Sequence, residues 1–510
     1  IPSSIEYLGE GAFNDCENLS DVSIPNVNNL RTVEARVFEG TAWMNGKSDG
    51  LVYWGNWLLC YKGTMASNEA ITVQAGTVGV ADEAFDNGYS GNLASIEFPN
   101  SLKYIGDYSL EGCRGLTSII IPEGVTNIGA YAFQNCSNLA KVVIPTTLKE
   151  IGGNAFYGCN IKECHINSLE AWCKIDFNSR ESVPITYPEG GLYMNETLVE
   201  HVTIPSSITK IKNFTFANNY KLTSIIIPEG VTSIGAYAFW RDYNLREINL
   251  PNSITELRDY ALACTGVTSI TIGKNLIKMG HNPLVANPLL ASIVVEDGNG
   301  VYDSRNNCNA LIHTESNVLI AGCKNTIIPD DVIAIGENAF GGCSEMTTIT
   351  IPGTVKTIGT SAFSSCSALE SVELENGIES IKYQAFGGCY KLTSITLPES
   401  IQKIGKSAFS YTLETVTSKA LVPPIIDEFT FESHGSATLY VPYTVLDDYK
   451  NAQYWSEFAN IEPISSEVQI IDSQDQYNSQ KTLFFQKIIY IRTFNNTNWQ
   501  ALYVPFEIPV

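Results

Sequence analysis

The 510-residue sequence predicts a β-rich repeat solenoid, a stack of similar coils sharing one core. Three observations carry this expectation. A phenylalanine-centred motif recurs every 23 residues, short apolar–polar alternations mark strands inside each step, and 44% hydrophobic against 17% charged residues suits a chain with a large core. The register runs through Phe13, Phe38, Phe85, Leu110, Phe133, Phe156, Phe216, Phe239, Leu262, Val285, Phe340, Phe363, Phe386 and Phe409. Eight of these thirteen steps are 23 residues and two are 25, while the long gaps 38–85, 156–216 and 285–340 are insertions. About fourteen coils are expected.

One coil explains the motif. In Leu116-Thr-Ser-Ile-Ile-Ile-Pro122, Ile119 and Ile121 alternate, so both face one side of a short strand. Pro122 lacks an amide donor and ends it. Val125 and Ile128 open a second inward-facing segment, and Gly129 is expected to supply a tight turn or a positive φ. Ala132, Phe133 and Cys136 close the coil, with Phe133 at its centre. A single coil cannot bury its own apolar face, but stacked coils bury a continuous one.

The unit L-T-S-I-x-I-P-x-x-V-T-x-I-G-x-x-A-F-x-x-C, read from residues 116–136 and nearly repeated over 222–239, resembles the Bacteroides surface-antigen (BspA-like) leucine-rich repeats. The resemblance covers residues 1–463 and implies a leucine-rich-repeat right-handed superhelix. Departures are Leu110, Leu262 and Val285 at the Phe position, and Trp240-Arg241-Asp242 where a Cys-containing turn is expected.

The insertions read as modified coils. Residues 50–63 form two alternating strands around Gly55-Asn56, a two-residue hairpin signal. Residues 160–198 contain a short helix near 169–177 and a strand pair near Gly190-Gly191, and residues 286–325 contain another hairpin. Thr438–Val441 is a last strand, and the helical patch 445–450 with the aromatic segment 452–461 resembles the cap that covers a final coil. Beyond Ser465-Ser466 the period is lost. Residues 467–510 read as a partial β-rich segment, the start of a further domain. The chain begins inside the motif, without a basic or apolar signal segment, which is expected of a mature or shortened chain.

Lys+Arg 31 against Asp+Glu 54 gives a net charge of −23, which disfavours nucleic acid and anionic membrane surfaces. No apolar run is long enough to span a bilayer, so no membrane insertion is expected. Cys16, Cys113, Cys136, Cys159, Cys343, Cys366 and Cys389 each fall three residues after the Phe position and are expected to be small buried thiols. A disulfide is expected first among Cys164, Cys173, Cys308 and Cys323, in the insertions. The five histidines form no metal or catalytic motif, and the oxygen-rich segment 297–306 lacks calcium-loop spacing and reads as an Asx/Gly turn. No catalytic residue, cofactor or metal is expected.

The resemblance implies a non-enzymatic bacterial cell-surface or secreted protein that recognises an extracellular protein or glycan in adhesion, host or cell–cell contact. A monomer is expected. The alternatives are a substrate-binding platform of a larger extracellular enzyme and a structural spacer. Variable outward slots such as Thr117, Ser118, Ile120, Thr223, Ser224 and Ile226 would set specificity. The aromatic hairpin offers the densest anchors, so Tyr53, Trp54 and Trp57 are the expected ligand-binding residues.

Overall fold

The computed structural model describes residues 4–23, 29–86, 90–186 and 190–464, together with the strands Glu467–Ile471 and Lys487–Ile491, which pair in parallel. Apart from these two strands, the expected β-rich segment over 467–510 lies outside the described residues. The chain forms a β-solenoid of about 19 turns with a spacing near 23 residues.

Each regular coil has three sides. The first is a strand such as Ser118–Ile120, parallel to Lys141–Ile144 with Ile119 opposite Val142. Pro122 follows it, and Val125 and Ile128 then turn inward, Ile128 from the two-residue strand Asn127–Ile128. That short strand stacks on Tyr104–Ile105 behind and Glu150–Ile151 ahead. The third side is the phenylalanine turn. There the amides of Tyr131, Phe133 and Asn135 donate to Gly153 O, Ala155 O and Tyr157 O of the next coil at 2.9, 2.8 and 2.7 Å. Backbone donors and acceptors on every side are thus satisfied by neighbouring coils, which is how a chain with so little helix buries its backbone.

The phenylalanines form the expected internal column. Phe133 stacks on Phe156 at 5.2 Å, and Phe340, Phe363, Phe386 and Phe409 stack at successive centroid distances of 4.7, 5.0 and 5.5 Å. Phe431 continues the column at 5.2 Å, and Tyr449, Trp455 and Phe458 of the cap are buried beyond it. The helix Leu446–Asn451 carries Tyr449, whose hydroxyl lies 2.7 Å from Ser418 Oγ.

Two expectations about the register change. Leu284, not Val285, holds the Phe position: the Leu262 and Cys264 amides donate to Pro283 O and Val285 O, as Phe239 and Arg241 do to Ala261 O and Ala263 O. Leu284 is buried and Val285 only half-buried. The first long gap also conceals a regular coil. Tyr61 N donates to Ala84 O at 2.7 Å, the bond of a Phe-position residue, so a tyrosine holds the column between Phe38 and Phe85. Such coils raise the total above fourteen.

The glycine expectation changes too. Gly129 has no positive φ. Its role is close approach: a β-carbon there would stand 2.5 Å from the Asp107 amide nitrogen, and one on Gly152 would stand 2.3 Å from that of Ala130. The left-handed backbone lies instead two residues before and two after the Phe position, at Tyr131 and Asn135 (φ 56° and 59°), Tyr237 and Arg241 (57° and 65°), and Asn282 and Ala286 (46° and 59°). Non-glycine residues in this region each cost about 1–2 kcal/mol, which stacking must offset.

The insertions hold the expected hairpins. Gly50–Trp54 and Trp57–Lys62 pair antiparallel around Gly55-Asn56, as do Ala310–His313 and Val318–Gly322. Leu169–Cys173 is helical, and Gly191–Met194 pairs with Thr197–Leu198 around Asn195-Glu196.

Candidate functional site

The aromatic hairpin is built inward. Trp54 is 2% exposed and lies 5.2 Å from Phe38; Trp57 is 1% exposed and stacks on Tyr104 at 6.1 Å. The Trp57 ring also covers Gly79, where a β-carbon would stand 2.4 Å from it. Tyr53 is half-buried, and its hydroxyl accepts from Gln74 N at 2.9 Å. The expected anchors therefore do not present a free indole face. The cause is the concealed coil: once Tyr61 takes the column, the preceding strand must turn its tryptophans toward Phe38 and Tyr104.

Three residues past each Phe position runs a second internal column. Cys136 Sγ donates to Leu110 O at 3.2 Å, Cys159 to Phe133 O at 3.0 Å, Cys366 to Phe340 O at 3.1 Å and Cys389 to Phe363 O at 3.2 Å. Each thiol reaches the Phe-position carbonyl of the preceding coil. Burial pushes the Cys343 and Cys389 thiols up to about 12, which leaves them unreactive. All thirteen cysteines are free, including those in the insertions. Cys16 departs from expectation by being exposed, since no described coil covers its outer side.

In the middle of the chain Asn219, Asp242, Thr265 and Asn287 occupy this column, all buried. Asn287 Nδ2 donates to Leu262 O at 2.9 Å, the contact a cysteine makes elsewhere, and its Oδ1 accepts from Thr265 N at 2.7 Å. Asp242 Oδ1 accepts from Asn219 N at 2.9 Å, while Oδ2 is buried without a partner. Burial pushes this carboxyl well above the usual carboxylate range, against the Asn219 amide, so it is neutral.

The histidines do not converge. His201 is exposed and lies 2.8 Å from Ser224 Oγ; His165 is buried between Glu163 at 3.0 Å and Glu196 at 3.4 Å, stacked on Tyr193. Among the described residues no three His, Cys, Asp or Glu side chains could hold a metal ion. In the oxygen-rich segment, Asn299 Oδ1 accepts from Val301 N and Tyr302 N, both at 2.9 Å, which is the expected Asx turn.

Two surface features escaped the sequence reading. Phe214, Tyr237 and Tyr260 stack in a row at 5.3 and 4.9 Å, using one another's faces and leaving mainly ring edges outward. Arg180 and Arg241 both lie against Trp240, at 4.7 and 4.1 Å. The recurrent aromatic two residues before Phe was the available signal. The outward positions of the first-side strands carry exposed aliphatic residues, Ile120 at 67%, Ile226 at 59% and Val294 at 45%. Among the described residues no helix is long and apolar enough to cross a membrane.

A parallel stack of near-23-residue coils, with an inward Phe column and polar outward slots, defines a leucine-rich-repeat solenoid. The chain belongs to the BspA-type leucine-rich-repeat family, whose repeat region matches in six copies over residues 1–46, 60–181, 190–308 and 320–438. Similar solved structures include a leucine-rich cell-surface protein from Faecalibacterium prausnitzii, at 22% identity, TM-score 0.41, and coverage of 82% of this chain and 96% of that one. A leucine-rich-repeat protein from Bacteroides ovatus has 23% identity and TM-score 0.41, covering 78% and 92%. The pneumococcal vaccine antigen PcpA has 16% identity and TM-score 0.42, covering 82% and 96%. No curated protein matches the chain.

Proposed function

We propose that this chain is a non-enzymatic recognition protein, on the surface of or secreted by a bacterium, that binds an extracellular protein through the outward face of its first-side strands. Family membership supports the surface setting. The observation that carries the binding reading is the contrast within each strand. Inward positions such as Ile119, Ile225 and Ile293 are uniformly aliphatic, whereas outward ones change from coil to coil and include the exposed Ile120, Ile226 and Val294. Exposed aliphatic side chains at fixed intervals on a rigid face suit a protein surface better than a sugar ring. The inward-turned tryptophans weigh against a glycan. An array of matrix proteins and glycans probed with the purified chain tests this, alongside an Ile120→Asp/Ile226→Asp double variant. The expected result is a protein ligand whose binding the double variant loses with an unchanged melting temperature. Capture of glycans alone, or binding indifferent to the variant, overturns the reading.

A further inference from the structure

The short-strand sheet is interrupted twice, and the two breaks are finished differently. At the first, between Asp176–Phe177 and Lys210–Ile211, the Lys212 ammonium bridges the gap, donating to Lys174 O at 2.8 Å and pairing with Asp176 at 2.7 Å. At the second, Lys278–Met279 ends one sheet and Tyr302–Asp303 begins the next. Lys278, Met279 and Tyr302 line one groove of about 600 Å³.

The Lys278–Met279 edge is open on the groove side. In the preceding coil, Thr255 O accepts from Lys278 N at 3.1 Å and Leu257 O from Gly280 N at 2.7 Å. The equivalent carbonyls one coil on, Ile277 O and Met279 O, receive no donor from the described residues. The interior behind the groove is already filled by Tyr302, 6% exposed, whose hydroxyl stands beside the Met279 backbone. Of the charged groups at the groove, Glu256 holds Arg258 at 3.4 Å, and Asp259 accepts from His281 N at 2.7 Å. Lys278 is exposed and pairs with no carboxylate among the described residues.

From this we infer that the groove is a strand-addition site for an extended acidic peptide, which would join the Lys278–Met279 edge in parallel. Its amides would donate to Ile277 O and Met279 O, as the next coil's amides do elsewhere in the stack. An outward Glu or Asp would meet Lys278, and the inward residue would be small because Tyr302 fills the core there. Main-chain hydrogen bonds supply affinity in such additions, and side chains supply selectivity. The site lies on the second side of the coil, so it stands or falls separately from the first-side face.

The test is an anisotropy titration of the full chain with fluorescein-labelled acetyl-Thr-Thr-Glu-Ala-Thr-Thr-amide. Saturable binding is expected, weakened at least about tenfold by Lys278→Glu or by replacing the peptide's Glu with Lys. It should be abolished when alternate peptide amides are N-methylated. Lys278 is exposed, so Lys278→Glu should melt with the wild type. Absence of saturable binding, equal binding of the N-methylated peptide, or indifference to Lys278→Glu overturns the assignment.

Discussion

The coils beginning at Leu116 and Leu222 differ at one position through their phenylalanines, Asn127 against Ser233, and then diverge as Gln134-Asn135-Cys136 and Trp240-Arg241-Asp242. Both bury their Phe completely and place the second residue after it in left-handed backbone, φ 59° at Asn135 and 65° at Arg241. Both seal the column that follows, one with a thiol bonded to Leu110 O, the other with a carboxyl that has one oxygen unpartnered. The shared segment dictates the shape of the coil. The column after Phe accepts different chemistry provided the side chain is small and neutral.

The largest expected effect lies where the two coils agree. Phe133→Ala and Phe239→Ala should each cost about 3–5 kcal/mol in denaturant unfolding, because each ring is stacked in a sealed column. Unequal losses would show that the coils differ in more than the column after Phe. Next comes Asp242, where they disagree. Asp242→Asn keeps the oxygen that accepts Asn219 N and adds an amide like that of Asn287, so a gain of about 1–3 kcal/mol at neutral pH is expected. Its pH dependence has a definite sign. A carboxyl whose folded pKa is raised binds its proton more tightly when folded, so stability is complete below about pH 4 and declines as pH rises. Asp82, pushed up to about 7 by burial against the Asp107 amide, places its own decline between about pH 4 and pH 7. Melting temperatures across that range should fall with pH in the wild type, and less steeply in Asp242→Asn.

Cys136→Ala should cost about 1 kcal/mol, since Leu110 O loses its donor, while Cys136→Asn should be tolerated as Asn287 is. Alkylation of the native chain should leave Cys113, Cys136 and Cys159 unmodified and label them after denaturation. The smallest effect belongs to Thr117→Ala on the exposed face, within about 0.5 kcal/mol of wild type.

Much of the fold was legible because bulky residues recur where space is fixed: Ile119, Ile121, Val125, Ile128 and Phe133 are all interior as their spacing implied. What escaped follows from substitutions that preserve volume and not identity. Tyr61 in the column looked like part of an aromatic hairpin, so Trp54 and Trp57 read as surface anchors. The 22-residue step to Leu284 was hidden by a second aliphatic residue beside it. Gly129 was read for conformational freedom when its demand is for room, a distinction that exists only between coils. The open edge at Lys278–Met279 could not be read at all, since an unpaired carbonyl depends on which strand fails to arrive.

The stacking bonds of the phenylalanine turn have a mechanical consequence. Tyr131, Phe133 and Asn135 each donate to the next coil, so those bonds lie along the long axis of the molecule. A pull on the two ends would load one coil junction at a time, as a zip is loaded. Each coil released would convert about 5 Å of stacked length into roughly 75 Å of extended chain. A tether made this way would yield in instalments under flow, lengthening more than tenfold per lost coil while the unpeeled coils kept their faces intact.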